Sequence, residues 1–252
     1  MARRVAALIL FALLAAACNS GLPGTGKASV PSVSPTVSAA SPSPTATATP
    51  DATATPWPTQ VPEASPVIEE SPLPTGYQRV TSVESGYTIG FPATWVFVKS
   101  DGAETVADQV AALKASAPKL AAFVDAETGL LGVAVKLVAF DKVSDTTGMN
   151  ANLVITAPMP STDMKTLAST YATQIKSTYK VSAVSTKQMT LPAGPTIEFD
   201  YSMVSSGVTV KLVQYMVLTP AHSFIATFGA RSSSWAKYQA TFLAVAKTLQ
   251  EI

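Results

Sequence analysis

Thr196-Ile197-Glu198-Phe199-Asp200-Tyr201-Ser202-Met203 carries the clearest alternation in the chain. Successive side chains of a β-strand point to opposite faces, so Ile197, Phe199, Tyr201 and Met203 share one face and Thr196, Glu198, Asp200 and Ser202 the other. This predicts a strand with one face on a core and the other solvated, where Glu198 and Asp200 can pair with Lys211. Ser205-Ser206-Gly207 then reads as a hairpin turn, and residues 208–218 return as the partner strand. Residues 221–229, after Pro220, make a third consecutive strand. Short links between successive strands imply antiparallel pairing.

Upstream, residues 78–84, 87–91 and 95–99 are short β-rich runs separated by Ser85-Gly86 and Pro92. Asp101 with Glu104 three residues on reads as a capping box, and Val106, Val110 and Leu113 then repeat at helical spacing up to Pro118. A second short helical stretch carries Leu120, Phe123 and Val124. Residues 130–141 and 151–157 read as strands. Ser161 or Thr162 is expected to cap a helix with Met164, Leu167, Tyr171, Ile175 and Tyr179 along one face. Residues 181–191 read as a strand. The chain closes on an amphipathic helix carrying Trp235, Tyr238, Phe242, Val245 and Leu249, whose apolar face must cover the sheet. The expected class is α+β, a central antiparallel sheet flanked by helices.

Composition divides the 252 residues into three segments: 1–18, 19–76 and 77–252. Residues 77–252 are long enough to bury a sizeable core without metal or disulfide, and the single cysteine excludes an intrachain disulfide. This part carries 14 basic and 12 acidic residues, interspersed, so it lacks the basic stripe that nucleic acid or an anionic membrane surface requires. Residues 19–76 hold 12 of the 19 prolines, with Thr-Ala repeats such as Thr45-Ala46-Thr47-Ala48-Thr49-Pro50. A stretch so poor in large apolar groups cannot offset the entropy of ordering, and it reads as a disordered Pro/Thr/Ser/Ala-rich linker. Within it, Gly21-Leu22-Pro23-Gly24-Thr25-Gly26-Lys27 imitates a phosphate-binding loop. Ala28 stands where a hydroxyl must reach magnesium, and neither the preceding strand nor the following helix is present, so the match carries no chemistry.

Arg3 and Arg4 precede a 13-residue apolar run over 5–17. A bilayer span needs about 20 apolar residues, so the run has the size of a signal-peptide core rather than of an anchor. Leu13-Leu14-Ala15-Ala16-Ala17-Cys18 resembles the lipobox of bacterial lipoproteins, in which the cysteine is acylated, palmitate being a typical chain, and becomes the mature N-terminus. Ala15 departs from the leucine commonest at its position; the other reading is an ordinary signal peptide cut after Ala17, leaving Cys18 a free thiol. The lone cysteine favours acylation, since an unpaired exported thiol is otherwise a liability. The expected site list is therefore Cys18 for lipidation, with no catalytic, cofactor or metal residue, and the expected location is the extracytoplasmic face of the cell membrane.

Gly86-Tyr87-Thr88-Ile89-Gly90-Phe91-Pro92-Ala93-Thr94-Trp95 resembles the strand–Pro–Trp opening of PsbP/Mog1-like domains, and the later elements fall in that family's order over about 77–250. The resemblance implies an α/β/α sandwich with a central antiparallel sheet. Members include an extrinsic photosystem II subunit, a binder of a small nuclear GTPase and many bacterial lipoproteins, so it also implies docking to a partner without catalysis.

The residues themselves point the same way. His222, the sole histidine, follows Thr219-Pro220-Ala221 at a turn, where a structural or surface histidine is expected, and no serine has a nucleophile-elbow context. Asp141 and Asp145 lack the alternating oxygen ligands of a calcium loop. The methionines 149, 159, 164, 189, 203 and 216 read as core filler. The function expected is thus a non-catalytic binding or assembly module of the bacterial cell envelope, held to the bilayer through Cys18, with an unidentified envelope protein or ligand as partner and no nucleic acid. The alternative is a small-ligand or lipid carrier with an apolar pocket between sheet and helices.

Overall fold

The computed structural model describes residues 72–252, apart from 103, 122–123, 125–127, 129–130, 132–134, 143–149, 157–162 and 206. Ten strands and three α-helices are described. In chain order they are β1 (Tyr77–Ser82), β2 (Tyr87–Pro92), β3 (Trp95–Lys99), α1 (Val106–Ser116), β4 (Val135–Asp141), β5 (Asn150–Thr156), α2 (Met164–Tyr179), β6 (Val184–Leu191), β7 (Gly194–Ser205), β8 (Val208–Leu218), β9 (Ser223–Arg231), α3 (Trp235–Lys247) and β10 (Gln250–Glu251). A 3-10 turn, Pro118–Leu120, follows α1.

Seven strands form one sheet in the order β3-β4-β5-β9-β8-β7-β6, with antiparallel neighbours throughout. The segment carrying α2 takes the chain from β5 to the far edge at β6, and β7, β8 and β9 return hairpin by hairpin until β9 pairs with β5. The fold is α+β as expected. The smaller sheet, β1-β2-β10, was not foreseen as separate, and β10 was not foreseen at all.

The large sheet is buried on both faces. On one face Ile197, Phe199, Tyr201, Leu212 and Met216 pack with Leu113, Leu120 and the Tyr171–Ile175–Tyr179 stripe of α2. On the other, Val213, Tyr215, Val217, Phe224 and Phe228 pack with α3 and with Val80, Tyr87, Ile89 and Phe91 of the small sheet. The Phe242 ring lies 5.1 Å from Phe228 and 5.6 Å from Trp235, and the Tyr171 ring 5.4 Å from Phe199. Each such pair contributes about 0.5–1.5 kcal/mol beyond area burial.

Helix ends differ from expectation for clear reasons. The N-cap of α1 is Thr105, whose hydroxyl oxygen accepts from the Asp108 N–H and donates to the Asp108 carboxylate. Asp101 is drawn away because it accepts the Ser82 hydroxyl. Asp163 caps α2 by accepting from the Thr166 N–H at 3.1 Å, and Lys180 closes that helix in the left-handed region. Ser161, Thr162 and Phe123 lie outside the described residues, as do the lipidation site Cys18 and the phosphate-loop imitation.

The two edges of the large sheet are finished differently. At β3 the Gln109 side chain accepts from the Lys99 N–H at 3.0 Å and donates to the Lys99 carbonyl at 3.0 Å, the two bonds an added strand would make. At β6, Ser185, Thr186, Lys187, Gln188 and Thr190 are exposed.

Gly194 opens β7 with φ +153°, and a Cβ there would sit 2.4 Å from the Leu218 carbonyl oxygen. At Gly207, with φ +79°, a Cβ would meet nothing within 4 Å. Gly194→Ala is therefore expected to lower the unfolding free energy by more than about 2 kcal/mol, because backbone must move. Gly207→Ala should cost only the roughly 1–2 kcal/mol of a left-handed alanine. Urea unfolding of the two variants distinguishes these outcomes.

Candidate functional site

Strand β7 sets Glu198 and Asp200 on one face. The register of β8 places Tyr215 opposite Glu198 and Val213 opposite Asp200, while β6 places Lys187 opposite Glu198 and Ser185 opposite Asp200. Lys211 lies opposite Ser202, so the expected direct pairing with Glu198 or Asp200 does not form; Lys211 acts on Asp200 only as a nearby charge. This face is also less solvated than its sequence suggests. Thr196 is fully buried and Glu198 and Asp200 are half-buried, because Val213, Tyr215 and Val217 belong to the core on that side.

Half-burial and the nearness of Glu198 change the proton affinity of Asp200. Loss of hydration, the Glu198 charge and a hydrogen bond with Glu198 push Asp200 up to about 6, against a smaller opposing pull from Lys187 and Lys211. Tyr215 is pushed well above its ordinary value by burial, then by the charge of Glu198 and a hydrogen bond to it, and by Asp200. Asp200 therefore takes up its proton at mildly acidic pH, with Lys187 on the edge strand β6 and Lys211 on β8 as nearby positive charges.

The other polar clusters join chain segments. His222 is a partly exposed structural histidine, in line with the expectation: its Nδ1 lies 2.8 Å from Glu251 Oε1, which also accepts from the Thr219 hydroxyl at 2.6 Å. Burial alone would raise the Glu251 carboxyl, but hydrogen bonds from Thr219, His222 and the Ala221 N–H hold it below its ordinary value. This cluster fixes β10 to the β8–β9 turn, and the Ile252 N–H donates to the Gly86 carbonyl beside it. Asp141 is buried and accepts from the Tyr238 hydroxyl at 2.9 Å, tying β4 to α3; Asp145 lies outside the described residues. The Thr248 hydroxyl oxygen accepts from the Gly90 N–H at 2.7 Å, tying the end of α3 to β2. Glu251, Thr219 and Tyr215 escaped the sequence reading because their partners lie on other elements, and Gln109 because it meets Lys99 only once the helix docks on β3. Of the methionines, Met216 is fully buried and Met164, Met189 and Met203 are half-buried against the core; Met149 and Met159 lie outside the described residues.

A crevice of about 190 Å³ lies between Pro72-Leu73-Pro74 and Ala244, Lys247 and Thr248 of the C-terminal helix and its cap. Among the described residues, no helix is long and apolar enough to cross a membrane, and no group of three or more His, Cys, Asp or Glu side chains is placed to hold a metal ion.

No family model matches the chain, and no curated protein matches it by sequence. Among solved structures, the chain is similar to cyanobacterial PsbP (CyanoP) from Synechocystis sp. PCC 6803, at 12% identity over 70% of this chain and 93% of that one, with a TM-score of 0.33. It is also similar to LpqN, described as involved in cell envelope biogenesis of Mycobacterium tuberculosis, at 9% identity over 69% of this chain and 89% of that one, with a TM-score of 0.43. A protein of Bacteroides thetaiotaomicron VPI-5482 is similar at 11% identity over 70% of this chain and 49% of that one, with a TM-score of 0.43.

The raised Asp200 makes stability depend on pH with a definite sign. Its ordinary value is 3.8 and its folded value about 6, so the folded state holds the proton more tightly. That contribution is fully present below about pH 3.8 and is lost as pH rises through about 6. Asp200→Asn keeps a donor toward Glu198 without the charge. It is expected to stabilise the domain at pH 8 by about 1 kcal/mol, the shift at 1.36 kcal/mol per unit being discounted for solvent screening. Denaturant unfolding at pH 4 should show no such gain.

Proposed function

We propose that this chain is a lipid-anchored protein of the extracytoplasmic membrane face, whose folded domain acts by docking to other envelope components and not by catalysis. The observation that carries the docking reading is the filling of the sheet on both sides. Phe140 and Phe199 on one face, and Phe224, Phe228 and Phe242 on the other, are each at most 1% exposed. These side chains occupy the space that a carrier would keep for its ligand. The crevice at Pro72–Pro74 is smaller than the roughly 300–1,000 Å³ of small-molecule sites. His222, Glu251 and Asp141 are engaged in holding segments together. A domain of this kind offers partners its outer surface.

Attachment rests on Cys18, at the end of the apolar run and alone of its kind in the chain. Two or more acyl chains, at about 0.8 kcal/mol per buried methylene, hold a protein to a bilayer stably where one chain does not. A linker then raises the local concentration of the domain around membrane partners, so weak contacts suffice.

Cys18→Ala is expected to move most of the protein from the membrane to the soluble fraction on ultracentrifugation; unchanged fractionation would remove the anchoring claim. In-cell crosslinking with mass spectrometry tests the docking half. Protein partners, including further copies of this chain, are expected, and capture of lipids or metabolites alone would favour a carrier.

A further inference from the structure

The finished edge at β3 makes the unfinished one at β6 informative. β6 runs eight residues, Val184–Leu191, in unbroken register with β7, and it is the outermost strand of the large sheet. Its exposed side chains stand out on both faces, so the described residues leave room for an added strand along the outer row of backbone groups. Such an edge invites pairing unless its side chains restrict it. The restriction here is Lys187, which penalises the register that would set it against itself.

We propose that β6 pairs antiparallel with β6 of a second copy of this chain, about a two-fold axis through Gln188. The interface is isologous, so residue i lies opposite residue j whenever j lies opposite i. Antiparallel neighbours share a face, which confines the axis to a residue and excludes the midpoint between two residues. An axis at Lys187 sets two cations directly opposite one another, which is destabilising. An axis at Gln188 sets Gln188 against Gln188, Thr186 against Thr190 and Lys187 against Met189. The two amides can exchange hydrogen bonds, the two threonines form a favourable β-branched pair, and the lysine stem lies along the methionine. Each Lys187 has Glu198 of its own copy opposite it on β7, so its charge is balanced within the copy. Across the pair, the row Tyr215–Glu198–Lys187 of one copy continues into Met189–Thr196–Val217 of the other. The large sheet becomes continuous through both copies. This inference goes beyond docking to other envelope components, and it does not require acylation.

The register makes the test specific. Gln188→Cys, Lys187→Cys and Thr190→Cys are introduced singly into the full chain and oxidised mildly in membranes, or in the released fraction if the chain proves not to be anchored. Wild type, which retains Cys18, is the control. All three positions are exposed, so folding is preserved. Gln188→Cys is expected to give at least tenfold more disulfide-linked dimer than the other two, since only residue 188 faces itself. Adding Gln188→Pro to a Cys18→Ala chain should abolish dimer in sedimentation equilibrium. Equal linking at all three positions would mean random collision, and strongest linking at 187 would mean another register. Linking of residue 188 to a different protein, or no linking with the chain folded and present, would likewise overturn the proposal. None of these results depends on whether Cys18→Ala releases the protein.

Discussion

The middle of the large sheet is apolar on both sides, and the rest of the fold follows from having to cover two faces. β8 sends Leu212 and Met216 one way and Val213, Tyr215 and Val217 the other, and β9 is buried from Ser223 to Ala230. Seven strands at about 4.8 Å span roughly 30 Å, whereas one helix covers about 10 Å. On the side of Ile197 the cover comes from α1, the 3-10 turn and α2. On the opposite side α3 alone is too narrow, and the β1–β2 ribbon, closed by β10, supplies the remainder. Glu198 and Asp200 sit near the β6 edge, where burial is incomplete, and this explains how two carboxyls can stand together on a sheet face.

Polar groups inside such a fold need partners, and here the partners are joints between segments distant in sequence. The Thr248 hydroxyl meets the Gly90 backbone, the Tyr238 hydroxyl meets Asp141, and Glu251 gathers Thr219, His222 and the Ala221 N–H. All three joints lie in or just after α3, so the C-terminal segment is bound to β2, to β4 and to the β8–β9 turn. A buried hydrogen bond adds about 1 kcal/mol, and leaving one partner unsatisfied costs more. The joints therefore contribute more to fixing the position of the cover than to total stability, which the aromatic packing dominates.

Local pattern was readable in the sequence and long-range partnership was not. The β7 alternation, the turn at Gly207 and the stripes of α2 and α3 were all recognisable, because each depends on spacings of a few residues. The pairing of Gln250-Glu251 with β2 was not, because two residues carry no period. The cap at Thr105 was misplaced because Asp101 looked equally suited; its capture by Ser82 of β1 is a tertiary contact. Of the strand expected over residues 130–141, Val135–Asp141 is described as a strand and Leu131 as an isolated bridge, while 130 and 132–134 lie outside the described residues. The solvated face assigned to Thr196, Glu198 and Asp200 was wrong in degree for the same reason: alternation reveals which residues share a face, not what covers it.

Edge design follows the same division. Closing the β3 edge requires Gln109 on α1 to reach both backbone groups of Lys99, a geometry set only once α1 has docked. At β6, control is instead local and electrostatic, a single lysine in an otherwise neutral strand. A neutral edge would admit strands in several registers, and a strongly charged one would admit none. One cation, balanced by Glu198 on the neighbouring strand, penalises alignment with a like charge while leaving the backbone groups available. Asp200 adds a dependence on conditions, because its proton uptake near pH 6 changes the charge close to Lys187. Through the register of β6, β7 and β8, the least buried side of the sheet is thereby coupled to its open edge.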